Sequence, residues 1–145
     1  MYKRQGVYKI PVNAFVNKQT LIKCMLPEKL ERIENGAFSN TSLTGTLQLP
    51  EGLKSVCGFD RTKITNIIFP STLEEISSDN SSARGAFEQC SSLMCEISLP
   101  QSLKEIGQAA FANSAIKGNL SLPASLKTIG TVSYTHLTLP TNVNV

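Results

Sequence analysis

Apolar residues recur in this chain in a fixed order. Leu30–Pro50 reads LERIENGAFSNTSLTGTLQLP, and Leu103–Pro123 reads LKEIGQAAFANSAIKGNLSLP. In both, a Leu-x-x-Ile pair is followed by Ala-Phe, and the unit closes on Leu-x-Leu-Pro. The first slot is filled by Leu30/Ile33, Leu53/Val56, Leu73/Ile76, Leu103/Ile106 and Leu126/Ile129. The second is filled by Ala14-Phe15, Ala37-Phe38, Ala86-Phe87 and Ala110-Phe111. The closing runs are Cys24-x-Leu26, Leu47-x-Leu49, Ile67-x-Phe69, Ile97-x-Leu99 and Leu120-x-Leu122. Their alternation is the period of a strand with one buried face. A proline ends each run, because it has no N–H to give to a ladder. A strand is therefore expected at each closing run. Each Phe reads as the deep spacer of its unit, with Ala beside it where the backbone is close. Asn17, Asn40, Gln89 and Asn113, two residues after Phe, read as turn residues.

Pro27, Pro50, Pro70, Pro100 and Pro123 lie 23, 20, 30 and 23 residues apart. A period of about 20–29 residues with leucines at fixed slots predicts a leucine-rich repeat solenoid. The expectation is about five repeats, with short parallel strands on one face and loops or short helical turns on the other. One unit alone buries too little apolar surface to offset the entropy of ordering it, so neighbours must cooperate and open ends need caps. Two units deviate. Val56–Pro70 lacks Ala-Phe, leaving Phe59 as the candidate for its slot in a shortened turn. The next unit carries six extra residues between Ile76 and Ala86, in the polar stretch Ser77–Arg84. This insert reads as a surface loop, an addition that costs little entropy.

Positions alternating with the buried strand slots face outward. They are Lys23 and Met25, Thr46 and Gln48, Asn66 and Ile68, Glu96 and Ser98, and Asn119 and Ser121. The strip is mixed and mostly neutral, with two apolar members, Met25 and Ile68. Solenoids bind along such extended faces. The composition suits hydrogen bonding to a protein or a glycan better than to an acidic ligand; a face that is merely soluble is the other reading.

Charge and chemistry narrow the picture further. The chain has 14 Lys and Arg against 11 Asp and Glu; without Lys3 and Arg4 the balance is 12 against 11. The basic footprint of a nucleic-acid binder is absent, and no stretch approaches the length of a membrane-spanning helix. Cys24, Cys57, Cys90 and Cys95 form no close C-x-x-C pair. They read as structural thiols, with a Cys90–Cys95 or other disulfide as the alternative. The one histidine, His136, lies in a tail that does not match the repeat, which leaves no imidazole for a nucleophile-base arrangement. No phosphate-binding glycine loop occurs. Glu74-Glu75 sits within a Leu-x-x-Ile pair and is expected to face solvent. Neither enzymatic activity nor a cofactor or metal is expected. Asn40, Asn80 and Asn119 lie in Asn-x-Ser/Thr sequons, which matter only along a eukaryotic secretory route.

The order Leu-x-x-Ile-x-x-x-Ala-Phe, then Leu-x-Leu-Pro, closely resembles the BspA-like leucine-rich repeat, also called the Treponema pallidum type, over about residues 7–130. The family's Ala-Phe-x-x-Cys variant stands intact once, at Ala86-Phe87 to Cys90. The resemblance implies a surface or secreted protein of a host-associated microbe, engaged in adhesion to host proteins or other cells. It carries no fixed binding motif. Two alternatives remain: a positioning arm of a larger multidomain enzyme, and an intracellular scaffold. Residues 1–5 and 132–145 resemble something else, the translation of sequencing-adapter DNA. On that reading residues 6–131 are a solenoid fragment of a longer protein, and both ends are set aside from fold reasoning.

Overall fold

The computed structural model describes residues 6–79, 84–118 and 120–130. Their strands, in chain order, are β1 (Lys9–Ile10), β2 (Arg32–Ile33), β3 (Thr44–Gln48), β4 (Ser55–Val56), β5 (Lys63–Ile68), β6 (Glu75–Ile76), β7 (Ser78–Asp79), β8 (Arg84–Gly85), β9 (Glu105–Ile106) and β10 (Thr128–Ile129). No helix occurs among the described residues. The chain is a right-through stack of coils, a leucine-rich repeat solenoid.

The main ladder is not where alternation places it. A six-stranded parallel sheet, β1-β2-β4-β6-β9-β10, runs through the Leu-x-x-Ile slots. Of the closing runs, only those entering β3 and β5 pair as strands among the described residues, with a register irregularity at Gly45/Thr46. Constant spacing supports the main ladder. Pro27–Leu30–Ile33, Pro50–Leu53–Val56, Pro70–Leu73–Ile76, Pro100–Leu103–Ile106 and Pro123–Leu126–Ile129 share one spacing, so these slots stay in register. The path from Phe to the closing run is one residue shorter from Phe59 to Ile67 and one longer from Phe87 to Ile97 than from Phe38 to Leu47. The β3–β5 pair absorbs its slip as a bulge between Gly45 and Thr46, so the slips do not account for the runs that stay unpaired: Cys24 and Leu47 lie equally far from their Phe.

Each proline acts beyond ending a run. Its carbonyl accepts from the N–H of the Leu three residues on: Leu30 to Pro27, Leu53 to Pro50, Leu73 to Pro70, Leu103 to Pro100 and Leu126 to Pro123, at 3.1–3.3 Å. This turn delivers the chain into the ladder, where N–H groups point back one coil. Lys54 donates to Glu31 O at 2.8 Å, Glu74 to Lys54 O at 3.0 Å and Lys104 to Glu74 O at 2.8 Å. Thr72, Ser102 and Ser125 hydroxyls reinforce it by donating to Leu53, Leu73 and Leu103 carbonyls.

The phenylalanines form a continuous column. Phe15, Phe38, Phe59, Phe87 and Phe111 stack with centroids 5.3, 4.9, 5.7 and 5.5 Å apart and nearly parallel rings. Phe59 therefore does fill the slot of its shortened unit. Phe15 departs from the deep-spacer expectation: it remains 42% exposed, stacked on one side only among the described residues. Beside the column N–H groups point the other way, to the next coil. Phe38 donates to Gly58 O, Phe59 to Ala86 O and Phe87 to Ala110 O, at 2.7–2.8 Å. The turn residues Asn17, Asn40, Gln89 and Asn113 adopt φ of 63°, 56°, 56° and 57°, joined by Arg61 at 59°. Asparagine tolerates this left-handed region best among side-chain-bearing residues.

The insert is not a plain loop. β7 and β8 pair antiparallel, Ser78 with Gly85 and Asp79 with Arg84, as the two arms of a hairpin. The Asn80 sequon falls outside the described residues, as do residues 1–5 and His136 in 132–145. Gly85 is required at the hairpin's base, since a Cβ there would meet Ala109 O at 1.8 Å.

Candidate functional site

The two closing-run strands explain how the outward strip is presented. In β3 and β5 Leu47 and Ile67 point inward and are buried, so their neighbours turn out. Thr46 lies beside Asn66 and Gln48 beside Ile68 in the parallel register. Lys23, Met25, Thr46, Gln48, Ile68, Glu96, Ser98 and Ser121 are exposed, while Asn66 is half-buried and Asn119 lies outside the described residues. Asn66 is partly spoken for: its Oδ1 accepts from Ile67 N at 3.0 Å. Met25 is 97% exposed and Ile68 47%.

The strip is brought together in pieces. Lys23, Met25 and Thr46 rim a depression of about 370 Å³ floored by Leu43, Leu47 and Ile64. Glu96, Ser98 and Ser121 rim a second of about 430 Å³ with Ile97, Leu99 and Gln101. Both open where, among the described residues, neighbouring runs are joined by long bonds rather than a ladder, Thr44 N to Ile22 O at 3.2 Å and Lys117 N to Cys95 O at 3.4 Å. Asn66 and Ile68 line neither depression.

The cysteines play structural parts. None is in a disulfide, so the Cys90–Cys95 alternative is not realised. Cys90 is fully buried, donates to Phe59 O at 3.1 Å and lies 3.4 Å from the Thr62 hydroxyl. Burial pushes its thiol up to about 11, against the opposing hydrogen bond from Thr62. Such a thiol is a poor nucleophile, because the thiolate is the reactive form. Cys24 is half-buried and outside any strand, against the buried strand slot expected of it, and burial raises its thiol too. Glu74 faces out as expected and pairs with Lys104 at 3.1 Å and Lys54 at 3.7 Å. The hydrogen bond from Lys104 holds its carboxyl below the usual range. Glu75, half-buried, accepts from the Ser77 hydroxyl. Among the described residues no three His, Cys, Asp or Glu side chains gather as a metal site, and no helix is long and apolar enough to cross a membrane.

Two further cavities share no residue with the strip. One, of about 220 Å³, is lined by Arg32, Asn35, Ser55, Cys57, Ser77 and Ser78 among others. The other, of about 160 Å³, is lined by Asn13, Asn35, Cys57, Asp60 and Arg84 with Val12 and Gly36. Sequence reasoning missed them. The available signal was Asp60 itself, a carboxylate in the slot after Phe.

Comparison with known proteins then decides the family. A profile described as the BspA type leucine rich repeat region matches residues 8–139 in six copies. The chain belongs to this family. Among solved structures, this BspA-type chain is similar to a leucine-rich repeat protein from Bacteroides ovatus ATCC 8483, at 19% identity and a TM-score of 0.46. The match covers 86% of the present chain and 43% of that one, so the chain spans less than half the length of that protein. None of the curated proteins matches it.

Proposed function

We propose that this BspA-type solenoid is a non-enzymatic interaction module of a cell-surface or secreted adhesin-like protein, and that it engages a protein or glycan partner through the strip from Lys23 to Ser121. The observation that carries the reading is the exposure of Met25 and Ile68. Two apolar side chains stand out among polar strip neighbours, while the alternating positions on either side pack wholly or partly into the core. An apolar anchor ringed by polar groups is the usual composition of a binding patch.

The test is adherence of beads coated with the full chain to cultured epithelial cells. The combined variant Met25→Glu, Gln48→Glu, Ile68→Glu and Ser98→Glu is expected to lower adherence several-fold while leaving the circular dichroism spectrum intact. Equal adherence of variant and parent overturns the assignment to this strip. Removing cell-surface glycans enzymatically then separates a glycan partner from a protein one.

A further inference from the structure

The two irregular units are neighbours, and the two unassigned cavities lie where they meet. The turn from Val56 to Phe59 is two residues shorter than that from Ile33 to Phe38. It is made by Gly58 at φ 83°, where a Cβ would lie 2.5 Å from Ala37 N and Glu34 O. The following unit carries the β7–β8 hairpin. Four consecutive coils contribute to the recess: Val12 and Asn13, then Asn35, then Cys57 and Asp60, then Ser78 and Arg84. Ser78 on one hairpin arm lines the first cavity and Arg84 on the other lines the second. Val12, Asn35 and Cys57 line both, so the two adjoin. Together they reach the lower end of the roughly 300–1,000 Å³ that small-molecule sites occupy.

The Asp60 carboxylate is 3% exposed. Ser39 Oγ donates to its Oδ2 at 2.7 Å. Among the described residues no other side chain bonds this carboxylate and no cation lies within ion-pair distance. A buried carboxylate with one hydroxyl partner has unused acceptor capacity, and burying it without further donors is costly. Arg84 is exposed and makes no ion pair among the described residues. The Cys57 thiol donates to Asn35 Oδ1 at 3.0 Å, which fixes the carboxamide and turns its NH₂ away from the thiol.

We propose that this joined recess binds a neutral, polyhydroxylated ligand, a mono- or disaccharide, with Asp60 accepting from its hydroxyls and Asn35 and Arg84 donating to them. The charges on the lining cancel: Arg32 and Arg84 against Glu34 and Asp60. An anion would face the buried carboxylate, a cation the guanidinium, and an apolar ligand too many polar groups. Closely spaced hydroxyls, each both donor and acceptor, match the mixture of acceptor-only, donor-only and two-way side chains present. The site shares no residue with the adhesive strip, so either can fail alone. The antiparallel pair β7–β8, which no other unit has among the described residues, serves as its wall.

The test is a titration of the isotopically labelled full chain with a panel of methyl glycosides of mannose, galactose, glucose and N-acetylglucosamine, followed by backbone amide shifts. At least one sugar is expected to shift the amides of Asn13, Asn35, Gly36, Cys57 and Arg84 saturably. Asp60→Asn keeps an acceptor for Ser39, and Arg84→Ala removes an exposed side chain, so both variants retain the fold in the same spectra. Each should weaken binding by about tenfold, the worth of one charge-assisted hydrogen bond. The proposal is overturned if no sugar in the panel shifts these amides saturably, or if both variants bind as tightly as the parent.

Discussion

The Leu-x-x-Ile side and the Leu-x-Leu side of this solenoid both repeat in sequence, yet only one is a regular structure. On the first, constant spacing from the proline keeps five of the six strands, β2, β4, β6, β9 and β10, in register. On the second, strand pairing among the described residues is confined to β3 and β5, which bridge a slip of one residue by a bulge at Gly45/Thr46. The closing runs still supply core: Leu47, Leu49, Ile67, Ile97, Leu99 and Leu120 are buried, while Cys24, Leu26, Phe69 and Leu122 are partly so. Apolar burial tolerates a shift of register along a smooth core, whereas a hydrogen-bonded ladder follows one only through a bulge. The stack is therefore fixed by its ladder and phenylalanine column. Its closing-run face is held mainly by packing and is free to vary in outline, which is where the depressions open.

The sharpest way to break this contrast is within the column. Phe59→Ala removes the ring between Phe38 and Phe87 and should cost about 3–5 kcal/mol, read as a lowered urea midpoint. A loss no larger than that of a surface substitution would show that the column does not hold the coils together.

A second test uses Cys90. Its folded thiol lies at about 11 against 9.0 for an unperturbed thiol. A pKa raised on folding means that the unfolded chain gives up its proton first. The stabilisation is thus full below pH 9 and is lost as pH rises towards about 11. Thermal melts across that window should fall more steeply for the parent than for Cys90→Ala. Parallel curves would contradict the buried, protonated thiol.

Arg61 offers a smaller effect of opposite sign. It holds φ 59° where other coils place Asn or Gln. Arg61→Asn should raise stability by up to about 1 kcal/mol, measured as an increased midpoint with an unchanged slope. At the far end, Ile68→Glu on the strip should change stability by less than about 0.5 kcal/mol, while the same substitution in the ladder, at Ile76, should prevent folding. Equal costs at the two sites would erase the distinction between the sides.

Much of this was legible in the sequence, for particular reasons. The repeat, the phenylalanine spacer and the turns at Asn17, Asn40, Gln89 and Asn113 follow from residue identity at fixed offsets, and so does Phe59 as substitute spacer; the left-handed backbone of those turns emerges only from the structure. The ladder's place did not follow. A two-residue strand such as Arg32–Ile33 has no alternation to read, while the longer Leu-x-Leu runs mimic strands because alternate burial is common to both. The outward facing of eight strip positions was readable, since it depends on neighbours; the partial burial of Asn66 was not. The recess around Asp60 was not, because it needs a short turn in one coil and a hairpin in the next to be placed side by side.

Native-state amide hydrogen exchange tests the central claim most directly. Amides of Phe38, Phe59 and Phe87 in the column and of Lys54, Glu74 and Lys104 in the ladder donate to neighbouring coils. Amides of Met25 and of Glu96–Leu99 donate to no backbone carbonyl among the described residues. The first group should exchange only through cooperative opening of the stack, at a common slow rate, and the second orders of magnitude faster. Equal protection of both groups, or slower exchange at Glu96–Leu99, would contradict a solenoid held by its ladder and column.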